Sequence, residues 1–484
     1  MAHPRTDPAW GTLLELGERA AGPLHLRLAR ALRAAVVDGR IAPGSALPPS
    51  RSLAADLGCS RWVVTEAYAQ LVAEGHFEAR AGSATRVSTE AAGRGPSYRR
   101  PVEQAAWKPE FDLLPGLPDL REFPRKRWAD AVREATGALT PTEFGYPHPA
   151  GHHALRERIA AYLVRGRGAA LDAGQLVVSG GTLDGVHRLC RALRAAGHTH
   201  VAMEDPGWAR LRTAAGSAGL TVVATPVDDD GLRVDVLRRE PRVRAVIVAP
   251  AHQFPTGVVL SPPRRAELVA WARETDGLIM EDDYDAEFRY DRRPVGSLQG
   301  MAPERVALLG SLSKTLSPAL RIGWAAVPQG LLDRVYAVDV VGSPPPVIDQ
   351  VAFSRFLESG SYDRHLRASR LRYRRRRDRL LTEMAELLPR HRVSGAAAGF
   401  HLLLHLTGCA AGDVLRGAAR RDVRLSDLTE YEAGDGAPQD EAGDGGSGRG
   451  PALVIGYGNL ADSALPGAVR RLADAIREAG GPAG

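Results

Sequence analysis

A chain of 484 residues, 44% hydrophobic and 25% charged, has the composition of an ordinary soluble protein with room for about three domains. No apolar run approaches the ~18 residues of a membrane span and no signal peptide opens the chain, so a cytoplasmic protein is expected. Cys59, Cys190 and Cys409 form no CxxC pair, which argues against a disulfide framework and a zinc site, while a net charge of +6 is a weak pointer to a polyanionic partner.

Residues 1–21 read as an N-terminal extension and residues 22–88 as a small, mostly helical domain. LHLRLARALRAAVVDGR places Leu24, Leu28, Leu32 and Val36 at i+4 spacing, the stripe of an amphipathic helix that ends at Gly39. Ser50 is placed to cap a short helix running through Leu57, and Gly58 breaks it. Ser60 is placed to cap a second helix to about Glu74, which Gly75 stops. Short helix, glycine turn and longer helix spell a helix-turn-helix, and HFEARAGSATRVS, centred on Gly82, reads as a hairpin or wing. On the second helix Val64, Ala67 and Leu71 are expected to face inward, and Arg61, Thr65 and Tyr68 outward toward a DNA groove. With Arg51 and Ser60, and with Arg80, Ser83 and Thr85 in the wing, these make the candidate DNA-binding set. Eight basic against five acidic residues in 22–88 is a modest electrostatic footprint, so a dimer is expected to supply much of the affinity.

Residues 89–110 carry Gly, Pro and charge without periodicity and read as a linker. From residue 111 to 484 short β-rich runs alternate with helices: LVVSGG (176–181), HVAMEDP (200–206), LTVVATPV (220–227), VRAVIVAP (243–250), GLIMEDD (277–283), RVALLGS (305–311) and RIGWAAV (321–327). That alternation predicts an α/β domain around a largely parallel sheet, whose ligands bind beyond the carboxyl ends of the strands. The arginine run 370–379 reads as a solvated helix face. Residues 432–450, rich in Gly, Asp and Glu, read as a disordered surface loop within a smaller C-terminal α+β part.

The chain holds only three lysines, Lys108, Lys126 and Lys314, among 63 basic residues. Lysine, unlike arginine, can lose its proton and condense with an aldehyde. If Lys314, in GSLSKTLSPALRIG, carries pyridoxal phosphate, the ring nitrogen needs a carboxylate, the phosphate needs a helix N-terminus with hydroxyls and an arginine, and the ring oxygen needs a donor. GLIMEDDYDAEFRY offers Asp282 and Tyr284. SGGTLDGVH opens a helix at Gly181, Thr182 and Leu183. Ser311 and Ser313 flank the lysine, and Arg321 follows seven residues on. Trp208 and His252 stand at the ends of other strands.

LPPSRSLAADLGCSR…AYAQLVAEG, GYPHPAGHHALRERIAAYL, AHQFPTGVVLS, EDDYDAEFRY and SLSKTLSPALRIG together resemble the MocR/GabR-type regulators, a winged helix of the GntR kind fused to a fold-type-I aminotransferase-like domain. The resemblance implies a pyridoxal 5′-phosphate cofactor, with Lys314 as the Schiff-base lysine and Asp282 as the partner of the pyridine nitrogen. Tyr284 would face the phenolate oxygen, and Arg321, Ser311 and Ser313 would hold the phosphate. Tyr146, in GYPHP, resembles the tyrosine that reaches the neighbouring subunit's phosphate, which implies a homodimer with shared sites. Three departures stand out. Trp208 replaces a tyrosine close to the cofactor. Phe254 stands where aminotransferases have asparagine, with His252 available to take over that region. No arginine fills the late-strand slot near Ala452 that grips a substrate carboxylate, and Arg449 is the nearest candidate. The implied function is transcription regulation on double-stranded operator DNA, with the second domain sensing the cofactor and an amine or amino-acid effector through an external aldimine. The alternative is an active aminotransferase carrying a DNA-binding appendage.

Overall fold

The leucine stripe forms helix α1 (Leu24–Val37), with Leu28, Leu32 and Val36 buried together with Ala29, Ala31 and Ala35. A fully buried leucine contributes ~2 kcal/mol, enough to fix the facing of a helix this short. Helix α2 (Ser50–Asp56) and helix α3 (Arg61–Ala73) follow, separated by a turn in which Gly58 takes φ +60°, a conformation costly for residues with a Cβ. Strands β1 (Phe77–Glu78) and β2 (Arg86–Val87) pair antiparallel, Phe77 opposite Val87, to make the wing. This computed structural model describes residues 14, 22–79, 83–88, 107–290, 295–338, 344–395, 397–434 and 450–482. The chain divides into two compact units, residues 1–107 and 108–484.

The first unit corrects three expectations. Ser50 is the first helical residue rather than the cap: Pro49 holds that position, and Ser50 Oγ accepts a hydrogen bond from Arg61 Nε at 3.3 Å. Ser60 does sit at the N-cap of α3, but its side chain makes no capping bond. Tyr68 faces inward, 8% exposed, with its hydroxyl donating to the Pro48 carbonyl at 3.0 Å and its ring edge-on to Phe77. The i+4 step from Val64 places position 68 on the buried stripe, and an aromatic ring with one satisfied hydroxyl is well suited to it.

The second unit begins with β3 (Phe111–Asp112), α4 (Arg125–Ala138) and α5 (His153–Arg167). An alternating series follows: β4 (Leu176–Ser179), α6 (Thr182–Ala195), β5 (His200–Asp205), α7 (Ala209–Ser217), β6 (Thr221–Asp228), β7 (Gly231–Leu232), β8 (Val243–Val248), α8 (Pro262–Glu274), β9 (Leu278–Asp282), β10 (Val306–Ser311) and β11 (Gly323–Ala326). Helices α9 (Val347–Glu358) and α10 (Ser361–Leu387) lead into β12 (Val393–Ser394), β13 (His401–His405), α11 (Ala411–Arg420), β14 (Val423–Arg424), β15 (Ser426–Asp427), β16 (Ala452–Gly456) and α12 (Leu465–Glu478). Each of the seven β-rich runs read from the sequence contains a strand of one eight-stranded sheet, ordered β4-β11-β10-β9-β8-β5-β6-β7. Neighbours pair parallel except at β11 and β7. The reversal of β11 matters, because its amino end then lies at the carboxyl edge of the other strands. Ser311, Gly323 and Ser179 sit side by side across β10, β11 and β4. The sheet is buried on both faces, as helices covering a parallel sheet require.

The smaller part holds the antiparallel sheet β12-β13-β16-β15, and β3 pairs with β14. The 370–379 run on α10 is not uniformly solvated. Arg376 is 3% exposed and bonds Asp119 (2.9 Å), Asp462 (2.7 Å) and the carbonyls of Tyr457 and Gly458. It is a buried tie between α10 and the chain on either side of it, whereas Arg374, Arg375 and Arg379 are exposed. Among the described residues no helix is long and apolar enough to cross a membrane.

Candidate functional site

The carboxyl edge of the sheet opens onto a cavity of about 380 Å³. Gly181, Thr182, Leu183, Trp208, Asp282, Tyr284, Ser311, Ser313, Lys314 and Arg321 all line it, from five separate strand ends. Lys314 lies within its wall, where its Nζ donates to the Gly116 carbonyl at 2.6 Å and sits 5.7 Å from the Trp208 ring centroid. Burial holds the Lys314 ammonium below the usual lysine range, opposed by the charges of Asp282 and Asp285. A lysine so placed is a better nucleophile than an exposed one.

Asp282 ends β9 facing the same cavity. Burial and the neighbouring Asp283 push its carboxyl up to about 7, against the pull of Lys314 and a hydrogen bond from Thr182. Its Oδ1 is buried without a hydrogen-bond partner. A buried carboxylate oxygen left bare is costly unless a ligand supplies a donor, and the pyridine N–H of a bound cofactor is such a donor. On the same cavity wall Gly181, at φ +119°, precedes the first turn of the 14-residue helix α6. A Cβ at Gly181 would point into a space walled by Ser311 Oγ at 3.6 Å and by Arg321 Nη1 and Ser313 Oγ at 4.0 Å. Glycine, two hydroxyls, a guanidinium and a helix N-terminus facing one small space form a cradle for a phosphate. Arg321 itself takes the left-handed conformation, φ +51°, a strain of the kind that concentrates at functional sites. The residues present therefore fit pyridoxal phosphate at both ends.

Other expected residues lie elsewhere. His252 does not line the cavity. It is buried behind Tyr284, with Nδ1 2.7 Å from Asp285 Oδ2 and 3.2 Å from the Tyr284 hydroxyl. It therefore does not take over the asparagine's place at the wall, which Phe254 itself occupies. Tyr146 is wholly exposed and touches none of the cavity. Ala452 is buried in β16, paired with His405, and Arg449 lies outside the described residues, as does most of the 432–450 loop.

Several residues that the sequence reading passed over also line the cavity. Glu204, from the end of β5, is pushed up to about 8 by burial and accepts from the Ala249 N–H at 3.0 Å. Arg210 lies two residues past Trp208, His401 opens β13, and Gly116 belongs to the loop after β3. Arg210 and Glu204 bracket a strand end already under suspicion, so strand-end position could have found them. No spacing signal points to Gly116 or His401, which reach the cavity through the packing of the smaller part against the sheet.

On the first unit Arg51, Ser60, Arg61, Thr65 and Ser83 are exposed and Thr85 is half-buried, while Arg80 lies outside the described residues. Arg61 and Thr65 share one face of α3, with Thr65 Oγ1 donating to the Arg61 carbonyl at 3.0 Å. Trp62 is 61% exposed beside them and meets His25 edge-on at 5.3 Å.

Residues 24–87 match the family of bacterial regulatory proteins of the gntR type, and residues 117–422 match aminotransferase class I and II. The chain is 32% identical over 461 residues to the HTH-type pyridoxine biosynthesis transcriptional regulator PdxR of Corynebacterium glutamicum, covering 93% of this chain and 95% of that one. It is 32% identical over 442 residues to the probable rhizopine catabolism regulatory protein MocR of Rhizobium meliloti, covering 86% and 89%. Among solved structures, the kynurenine aminotransferase of Pyrococcus horikoshii in complex with PMP superimposes with a TM-score of 0.66 at 23% identity, over 76% of this chain and 91% of that one.

Proposed function

Because the chain belongs to the MocR-type regulators, a GntR helix-turn-helix joined to an aminotransferase class I and II domain, we propose that it binds its operator according to the state of the cofactor at Lys314. It is a DNA-binding transcriptional regulator, and its second domain takes pyridoxal 5′-phosphate. In this reading Lys314 provides the amine that condenses with the cofactor's aldehyde. Asp282 accepts from the ring nitrogen, and Tyr284 donates to the ring oxygen. Ser311, Ser313, Arg321 and the N–H groups at Gly181, Thr182 and Leu183 would hold the phosphate, and Trp208, on the cavity wall beside Lys314, would contact the cofactor. When bound, the cofactor supplies an electrophilic carbon and an electron-withdrawing ring. Tyr146, wholly exposed on its own chain, is free to reach a second copy, in keeping with a homodimer.

One observation carries the regulatory reading: Lys314 is hydrogen-bonded to Gly116, in the short segment 115–117 that lines the cavity near the start of the second unit. An amine effector that competes with Lys314 for the cofactor changes what Lys314 holds, and with it the contact to the segment that opens the second unit. Such a ligand shifts operator affinity only through its unequal affinity for the two states. Arg51, Ser60, Arg61, Thr65, Arg80, Ser83 and Thr85 are assigned to DNA, Arg61 as the reader of a base edge and Arg51 as a phosphate contact.

A fluorescence-anisotropy titration against the DNA upstream of the chain's own gene, with and without pyridoxal phosphate and then with a panel of amines, tests this. The expected result is a several-fold change in affinity on adding the cofactor, altered again by one class of amine. Superimposable isotherms under all conditions contradict it. Arg210, a cation on the cavity wall, favours a second reading in which a substrate carboxylate docks there and transamination proceeds. Multiple turnover with an amine and keto-acid pair, retained when residues 1–88 are removed, would establish it.

A further inference from the structure

Behind the cavity wall lies a group of buried side chains to which the reading above gives no task, and the inference drawn from it rests on that reading. Asp285 and His252 are 2% and 1% exposed. They come from different loops, after β9 and after β8, and meet at 2.7 Å between Asp285 Oδ2 and His252 Nδ1. The Tyr284 hydroxyl reaches both, at 3.2 Å from the same Nδ1 and through a hydrogen bond to the Asp285 carboxylate. The packing is close on the far side as well. A Cβ at Gly399 would fall 2.4 Å from His252 Cε1 and 2.5 Å from Asp285 Oδ2, so only glycine, here at φ +62°, allows the pair to form.

The proton arithmetic is constrained. Burial and the nearby carboxylates push the Tyr284 phenol well above its ordinary range, so it keeps its single proton. With the His252 Nδ1 proton assigned to the Asp285 contact, the Tyr284 proton has two acceptors: Asp285 on the inner side and, with the cofactor in place, the ring oxygen on the cavity side. Tyr284 cannot fully donate to both. We propose that Asp285 and His252 are positioning residues that choose between these acceptors: His252 Nδ1–H occupies the Asp285 carboxylate and so releases Tyr284 to donate outward. An outward donor stabilises the ring oxygen as an anion and weakens its hold on the proton of the adjacent Lys314 nitrogen. A Tyr284 turned inward does the reverse. The other charged or titratable groups around this set are Asp282 and Asp283 on β9 and the loop after it, Tyr290 further along that loop, Glu204 on β5, Lys314 after β10, Arg210 on α7, His401 on β13 and Tyr457 just after β16. Burial and then the neighbouring His252, whose ring lies 4.8 Å away, hold the His401 imidazole well below its ordinary range, and the charge of Lys314 adds to this.

The test is a pH titration of the visible absorption of the cofactor-loaded full chain, which reads proton affinity rather than turnover. Asp285→Asn, which keeps the shape but weakens the inner acceptor, should lower the midpoint by about one pH unit. His252→Ala should raise it by a similar amount, and His252→Gln, whose amide can still donate to Asp285, should return it toward wild type. In a Tyr284→Phe background, itself raised, His252→Ala should add nothing. If His252→Ala does not fold, the near-isosteric Asp285→Asn decides alone. Midpoints that coincide with wild type, or that move together in one direction, overturn the inference. A wild-type chain with no visible band would sink the Lys314 assignment instead.

Discussion

The DNA-reading face and the cofactor cavity are built by opposite rules. On α3 the candidate readers Arg61 and Thr65 are exposed and held by little beyond a 3.3 Å bond to Ser50 and a 3.0 Å bond back to the helix. In the cavity each candidate is fixed from behind: Asp282 by the strand it ends, Ser311 by the register of three strands, Tyr284 by Asp285 and His252. A groove filled with water and phosphates rewards side chains that can adjust, whereas a covalently attached cofactor rewards groups already in place. Substitutions in the first face should therefore grade affinity, and removal of Lys314, the point of covalent attachment in the second, should act nearly all-or-none.

Lys314→Ala should give the largest effect, complete loss of the visible absorption with the chain still folded by circular dichroism. A partial band would mean that another amine can serve and would blur the contrast. Tyr68→Ala should come next, destabilising the first unit by ~3 kcal/mol through the cavity it leaves in the core, read as a lower melting midpoint. Tyr68→Phe should cost ~1 kcal/mol for the lost bond to Pro48 and leave operator specificity untouched; a change in specificity would return Tyr68 to the reading face. Arg61→Ala should weaken specific operator binding by ~1–3 kcal/mol while sparing nonspecific DNA, and equal losses on both would make it a phosphate contact. Ser60→Ala should be the smallest, within ~0.5 kcal/mol in thermal stability, because no capping bond exists to lose.

The seven strands, six of them parallel and β11 reversed, were legible because strands covered on both faces are nearly continuous apolar runs closed by glycine, proline or aspartate. The cavity was legible for the same reason, since its residues cluster where those runs stop. Tyr68 misled because a tyrosine next to a DNA-facing arginine looks polar, while its position on the helix assigns it to the core. His252 misled because a loop position specifies the strand end but not the depth at which the side chain lies. Arg376 was hidden inside an arginine run, where only the partners Asp119 and Asp462, far away in sequence, single it out. Gly116 and His401 depend on how the smaller part packs on the sheet, which no local pattern records.

Only three lysines make the central claim unusually clean to test. Lys108 and Lys126 are exposed, and Lys314 alone lies in the cavity with a depressed proton affinity. Borohydride reduction of the purified chain after incubation with pyridoxal phosphate, followed by peptide mass mapping, should place one pyridoxyl adduct on the peptide that carries Lys314. No adduct, or one distributed over Lys108 and Lys126, would contradict the account.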